Sequence, residues 1–435
     1  MSKSKLDLYS RYYDINAIDQ ELFQRFDVKR GLRNNDGTGV LAGLTNIGNV
    51  HGYIIADDEK KPDEGRLVYR GYDIEDLVDS NDPDKRWNFE EIVYLLLMGK
   101  LPDPEELDVL VACLDAEREL PDGFTASLIM KDTPPDLMNL LARSVLLLYS
   151  SDPNPEDRSP EHEIDTALSL ISRIPRIMVL GYYAIQSRYF GGSMIMHRFI
   201  PGQSTAETIL SMLRPNREFS AAEARLLDIM LCLHAEHGGG NNSTFTLRTV
   251  TSVDTDPYAA YSAAMGSLKG SRHGGANYQV LAMQEDIKQN VKDWSNEGEV
   301  ADYLEKIVRK EAFDRTGLIY GMGHAVYTLS DPRVAICREN AARLAKGTEY
   351  EAEFELLQTI ARLTPEVFNK VKGGDKPLCA NVDMYSGLVY TMLGIPPELF
   401  TALFASARMA GWAAHRFEEI VSGKRIIRPA YKSTQ

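Results

Sequence analysis

Residues 220–240 most constrain what this chain can fold into. Ser220 and Glu223 form a capping-box pattern, so a helix starts at about residue 221. From Leu226 to Leu233 that helix is apolar nearly all round, through Leu226, Leu227, Ile229, Met230, Leu231 and Leu233. A helix without a polar face has to be surrounded by other elements. The chain must therefore build a large core around it, and 435 residues at 44% hydrophobic content are enough to do so. The flanking patterns are mostly helical too. Residues 88–120 read as two helices broken at Gly99 and Pro102, and 396–429 as one long helix ending near Gly423. Residues 34–56 read as turns and a small sheet, and the acidic, Pro-rich stretch 149–165 as a surface loop.

Composition excludes several classes of function. The net charge of −15 argues against a nucleic-acid partner. It leaves room for an anionic small substrate, because a few arginines in a cleft reverse the local potential. The four cysteines are scattered without CxxC pairs, as in a protein with free thiols. No apolar run approaches the ~18 residues of a membrane span, and the first residues do not read as a signal peptide. A cytoplasmic protein with no membrane partner is expected. Walker, Rossmann and nucleophile-elbow patterns are missing.

Seven polar positions stand out. In "HAEHGGGN" (234–241), His234 and His237 are expected on one face at the end of the buried helix, which the glycines stop at 238–240. Their spacing of three differs from that of HExxH metal sites. His273 sits between glycines just before a helix, where exposed N–H groups lower a histidine's pKa. His324 follows a Gly-x-Gly turn. Arg333 lies in the first turn of a helix opened by Asp331 and Pro332, where a solvated surface arginine competes with a carboxylate clamp. Asp383 heads an apolar segment, so an N-cap is its default reading. Arg408 lies among Ala405, Ala407, Ala410 and Gly411, a setting that demands an anionic partner, either an internal carboxylate or a ligand.

Taken in order, "HAEHGGGN", "RHGGAN" (272–277), "GMGHAVYTLSDPR" (321–333), "NVDMYSG" (381–387), "ASARMAGWAAH" (405–415) and "RPAY" (428–431) resemble the citrate synthase family. "EGRLVYRGYDIEDL" (64–77) and "FEEIVYLLLMGKLP" (89–102) extend the resemblance upstream, over about residues 40–431. The resemblance implies a mainly α, two-domain helical fold: a large domain over 1–275 and 391–435 with a small domain, 276–390, inserted. It implies a homodimer acting on acetyl-CoA and oxaloacetate, with CoA thioester as substrate and neither cofactor nor metal. By resemblance, Asp383 is the base that takes a methyl proton, His273 stabilises the enol and His324 polarises the oxaloacetate carbonyl. His237, Arg333 and Arg408 bind oxaloacetate, Arg428 reaches into the neighbouring subunit's site, and Lys376 lies near CoA phosphate. His234 is expected to be structural. One position departs from the pattern: relatives often carry a basic residue facing CoA phosphate where this chain has Thr328.

These residue types suit the chemistry. A thioester α-proton is far less acidic than a carboxylic acid, so a lone aspartate needs a preorganised donor to stabilise the enolate. Two carboxylates on the substrate suit planar guanidinium forks. Three rival readings stand beside this one. A 2-methylcitrate synthase using propionyl-CoA would need the same residues, one methyl being worth only about 1–3 kcal/mol of discrimination. The others are a non-catalytic helical binding protein and a metal hydrolase built on His234 and His237.

Overall fold

The computed structural model describes residues 17–56, 59–78, 87–271, 273–375 and 377–434. They are mainly helical, with one three-stranded sheet in the order β1 (Gly48–Ala56), β2 (Glu59–Tyr69), β3 (Tyr72–Asp73). β2 and β3 pair antiparallel, Val68 with Asp73 and Tyr69 with Tyr72. Arg70 and Gly71 turn between them with φ of 49° and 94°, the left-handed pair that a two-residue hairpin requires.

Two compact units are distinguished: residues 1–43 with 55–60, and residues 44–54 with 61–435. In the first, Gln20–Arg25 is a short helix capped by Asp19, which accepts Glu21 N–H at 3.0 Å. Asp36 turns the following chain by accepting the N–H and hydroxyl of Thr38 at 2.8 and 2.7 Å. The second unit holds the large core.

The axis of that core is the helix Phe400–Ser422, buried from Phe400 through Arg416 except at Thr401. It packs on Asn88–Met98, Pro160–Tyr189, Ala221–His234 and Asn242–Thr251. Its small residues explain how so many neighbours fit. Gly411 is the extreme case: a Cβ there would lie 2.3 Å from Ala235 O and 2.5 Å from Glu236 Oε2. A buried bidentate ion pair ties the axis to Pro160–Tyr189, with Arg416 Nε and Nη2 donating to Glu163 at 2.7 and 2.6 Å. The helices Ala276–Asn290, Glu297–Val308, Pro332–Ala345, Glu351–Lys372 and Asp383–Met392 pack on one another.

Most expected elements form. The pair Asn88–Met98 and Pro104–Glu117 is broken at Gly99, and Ser220 and Glu223 make the reciprocal cap of Ala221–His234. Two expectations fail. The loop after Tyr149 is shorter than expected, because Ser159 caps a helix from Pro160. The buried helix ends at His234, not at the glycines, so His234 and His237 do not share a helix face. The cause is tertiary: the buried Tyr69 hydroxyl lies 3.1 and 2.9 Å from the carbonyls of Cys232 and Glu236 and accepts Glu236 N–H at 3.2 Å. These bonds satisfy the helix end one turn early. Among the described residues one helix, Pro160–Tyr189, is long and apolar enough to cross a membrane, although no membrane-length run was expected. Its apolar window is 83% buried in the protein, as in a core helix.

Gly411→Ala should destabilise the fold by about 1–3 kcal/mol through overpacking against backbone. Urea unfolding of the purified protein measures this. Gly239→Ala, whose Cβ meets only side chains at 3.5 Å or beyond, is the control.

Candidate active site

Gly411 allows the axis to touch the turn after His234, and the site is built on that contact. Within the turn Glu236 is fully buried. Its Oε1 accepts Gly238 N–H at 2.5 Å and lies 2.9 Å from His415 Nε2. Arg248 donates to His415 Nδ1 at 2.8 Å, which leaves the ring proton on Nε2, pointing at Glu236. Burial works against the Glu236 charge, but His415 and Arg408 outweigh it and hold the carboxyl below its usual range. The residue between Glu236 and Gly238 is His237. Its ring is buried, with Nε2 bonded to no protein group. Burial, with Arg333, His324 and Arg408 nearby, pushes its pKa well below the ordinary value, so the imidazole is neutral.

Arg408 is fully buried and, among the described residues, makes no salt bridge with a carboxylate. Its Nε donates to His234 O at 2.6 Å and its guanidinium stacks 4.7 Å from the centre of the Phe404 ring. Nη1 and Nη2 are buried with no protein partner. Burial pulls its pKa down to about 10, still charged at neutral pH. A desolvated cation with two donors to spare is a built anion site. Arg333 is the second cation, and the surface reading fails for it: it is buried, with Nε and Nη2 donating to Asp331 at 3.0 and 2.7 Å. Asp331 thus caps the helix and orients the guanidinium at once. Burial disfavours the Arg333 charge, and Asp331 more than compensates, raising its pKa.

His324 stands beside His237, ring centres 5.1 Å apart and nearly perpendicular. Its Nδ1 accepts the N–H groups of Val326 and Tyr327 at 3.0 and 3.1 Å, which places the ring proton on Nε2. Tyr327 completes the wall, 4.5 Å from the His324 ring, 5.6 Å from His237 and under Arg333. Asp383 is the first residue of the helix Asp383–Met392, and its carboxylate makes no cap. The N-cap expectation fails because Asn381 accepts the Asp383 N–H, at 3.0 Å. Burial pushes the Asp383 pKa up to about 6, opposed by Arg333 and aided by Asp331. That places a carboxylate base near neutrality.

His273 has its Nε2 3.2 Å from the hydroxyl of Ser243, which also accepts Trp412 Nε1–H at 3.3 Å and bonds Asn241 Oδ1 at 2.9 Å. Trp412 can only donate, so the single Ser243 hydroxyl proton goes to Asn241 Oδ1 or to His273 Nε2, and only the second arrangement leaves the His273 proton on Nδ1, where a ligand can accept it. The His273 pKa is depressed, as expected from sequence, to about 4. The cause differs from the expected helix dipole: burial comes first and the Arg408 cation second.

Contacts and fields therefore join His237, His273, His324, Arg333, Arg408 and Asp383 in one place. Arg428 lies on the exposed tail after Ser422, and no contact among the described residues links it to these six. Lys376 falls outside the described residues. His234 is fully buried against Phe404, ring centres 4.5 Å apart, with neither ring nitrogen bonded to protein. Among the described residues no group of three or more His, Cys, Asp or Glu could hold a metal ion. Thr328 has its hydroxyl committed: it donates to Gly52 O and accepts Asp63 N–H at 3.2 Å. Tyr327, Ser243, Trp412, Glu236, His415 and Asn381 were not singled out from sequence. All lie in or beside the quoted motifs, but nothing local marks them as neighbours of the site.

The family model described as "Citrate synthase, C-terminal domain" matches residues 35–430. The chain is 32% identical to a citrate synthase of Haloferax volcanii over 94% of this chain and 96% of that protein. It is 31% identical to 2-methylcitrate synthase 1 of Corynebacterium glutamicum, over 92% and 94%. Among solved structures, citrate synthase from Thermoplasma acidophilum, in ternary complex with carboxymethyl coenzyme A and oxaloacetate, superposes with a TM-score of 0.75 at 26% identity, covering 94% of this chain and 97% of that one. The enzyme from Pyrobaculum aerophilum gives 0.73 at 27%, covering 91% of each. With its motifs, its mainly helical fold and these relatives in agreement, the chain belongs to the citrate synthase family of acyltransferases.

Proposed function

We propose that the chain condenses acetyl-CoA with oxaloacetate and hydrolyses the resulting citryl-CoA to citrate and CoA. The observation that carries this reading is the buried Arg408 guanidinium with two nitrogens bonded to no protein group, beside Arg333 and His237. It suits a carboxylate of oxaloacetate. His324, with its proton on Nε2, polarises the ketone carbonyl. Asp383 takes a proton from the acetyl methyl, and His273, neutral at pH 7, donates to the thioester oxygen as the enolate forms. The enol carbon attacks the polarised carbonyl, whose oxygen takes up a proton. Water then cleaves the thioester and releases the CoA thiol. No step calls for a metal or a further cofactor.

The reading includes a homodimer in which Arg428 completes the partner's dicarboxylate site. It includes Lys376 near CoA phosphate, with Thr328 unable to supply a second cation there. It assigns residues 276–390 to a small domain that closes on the rest, and a cytoplasmic setting in the tricarboxylic acid cycle. The C. glutamicum relative makes propionyl-CoA the control substrate. The reading requires kcat/KM to be higher for acetyl-CoA.

Thiol release from acetyl-CoA and oxaloacetate is the direct test, and no release by the folded protein overturns the proposal. Asp383→Asn should lower kcat by about 10²–10⁴-fold, the usual contribution of a general base. In the wild type kcat/KM should fall as pH drops through about 6, where the base takes up its proton. A flat profile from pH 5 to 8 would count against Asp383 as base. Arg408→Met should raise KM for oxaloacetate on the order of tenfold to a hundredfold, equivalent to a charge-assisted bond of about 1.5–3 kcal/mol. It should change the stability of the substrate-free protein little, since the desolvation of the cation and its attraction to Glu236 are lost together. Thermal melts with and without oxaloacetate separate the two effects.

A further inference from the structure

Base and carbonyl-polarising residue lie on different segments, Asp383 at the head of a helix and His324 after a glycine turn. Two backbone bonds bring those segments together: Asn381 N–H donates to Gly321 O at 2.9 Å and Gly323 N–H to Cys379 O at 2.7 Å. They make a single bridge, Met322 opposite Ala380. Gly321 and Gly323 hold φ of 79° and 85°, a conformation in which a side chain is strained. One isolated bridge leaves both flanking residues able to pivot about it.

The Asn381 side chain removes that freedom. Its Oδ1 accepts the N–H of Asp383 at 3.0 Å, and its Nδ2 donates to Gly323 O at 2.8 Å. The first group is the backbone of the base itself. The second is the carbonyl of the peptide that leads into His324. One planar amide therefore spans the two catalytic segments, and its length is set by covalent geometry. An amide is needed because one end must accept and the other donate. A carboxylate of the same shape would set an oxygen against the Gly323 carbonyl, and a hydroxyl reaches only one partner.

We propose that Asn381 is a positioning residue that sets the placement of Asp383 relative to His324. This rests on the roles given to those two residues above. The enol carbon formed at Asp383 has to meet the carbonyl held by His324 at near-attack distance, so a gauge between them acts on the chemical step. No hydrogen bond among the described residues links its side chain to Arg408, Arg333 or His237, so it leaves dicarboxylate binding alone.

The test uses the full-length protein, with thiol release for kcat, calorimetry with oxaloacetate for Kd, and thermal melting. Asn381→Asp keeps the shape and the acceptor but loses the donor. It should lower kcat about 10²-fold, the cost of a misplacement on the order of 1 Å. Oxaloacetate Kd should stay at the wild-type value, and the melting temperature should fall by only a few degrees. Wild-type kcat in folded Asn381→Asp overturns the proposal. So does a loss of kcat accompanied by an equal loss of oxaloacetate affinity, which marks a general structural role. If the aspartate variant does not fold, Asn381→Ser is judged by the same criteria. An inactive wild type would overturn the function and this inference together, whereas an active wild type with an active variant overturns this inference alone.

Discussion

The burial of the Arg408 guanidinium is the constraint on which the rest of the site depends. Moving a cation out of water costs several kcal/mol unless it is paired. Here no carboxylate among the described residues pairs with it directly. A carbonyl at the end of the neighbouring helix takes Nε, an aromatic face lies against the guanidinium, and the Glu236 charge acts without a bond. That arrangement needs His234 O to be available, so the helix must stop at His234. It needs Glu236 close by, so the axis helix must carry glycine at 411. Glu236 in turn needs His415, and His415 needs Arg248, whose other bonds go to Glu418 and Glu419 at 2.9 and 3.1 Å. A run of polar contacts through the core thus holds one cation ready for an anion.

The same cations explain the protonation states around them. Arg333 and Arg408 stand near three histidines that are already desolvated, and both effects disfavour imidazolium. The imidazoles are therefore neutral. Desolvation acts in the opposite sense on Asp383, raising its pKa towards neutrality while Arg333 limits the rise. Burial thus favours neutral imidazoles and raises the carboxyl pKa at one site. Asp331 keeps Arg333 oriented, and it too raises the Asp383 pKa.

Much of this was legible in the sequence, for reasons that can be named. The helix Ala221–His234 could be read because its cap and apolar faces are local patterns. The break at Gly99 and the opening at Asp331–Pro332 were also local. What failed were readings that depended on distant groups. Asp383 looked like a cap because nothing nearby in sequence shows that Asn381 takes its N–H. Arg333 looked able to sit in water because helix position does not reveal burial. His273 was expected to be neutral through a helix dipole, whereas burial and Arg408, more than a hundred residues away, do the work.

By itself the sequence determined the helical class, the large core, and the residue types able to handle a dicarboxylate and an acidic methyl. These follow from periodicity, capping and side-chain chemistry, all carried within a few residues. Only the tertiary structure decided why the histidines are neutral, that Arg408 keeps two donors unspent, and that Thr328 is committed to the backbones of β1 and β2. It also decided that Asp383 and His324 share one amide between them. Each of these depends on desolvation or on a partner far along the chain, and both arise only when the helices close around the site.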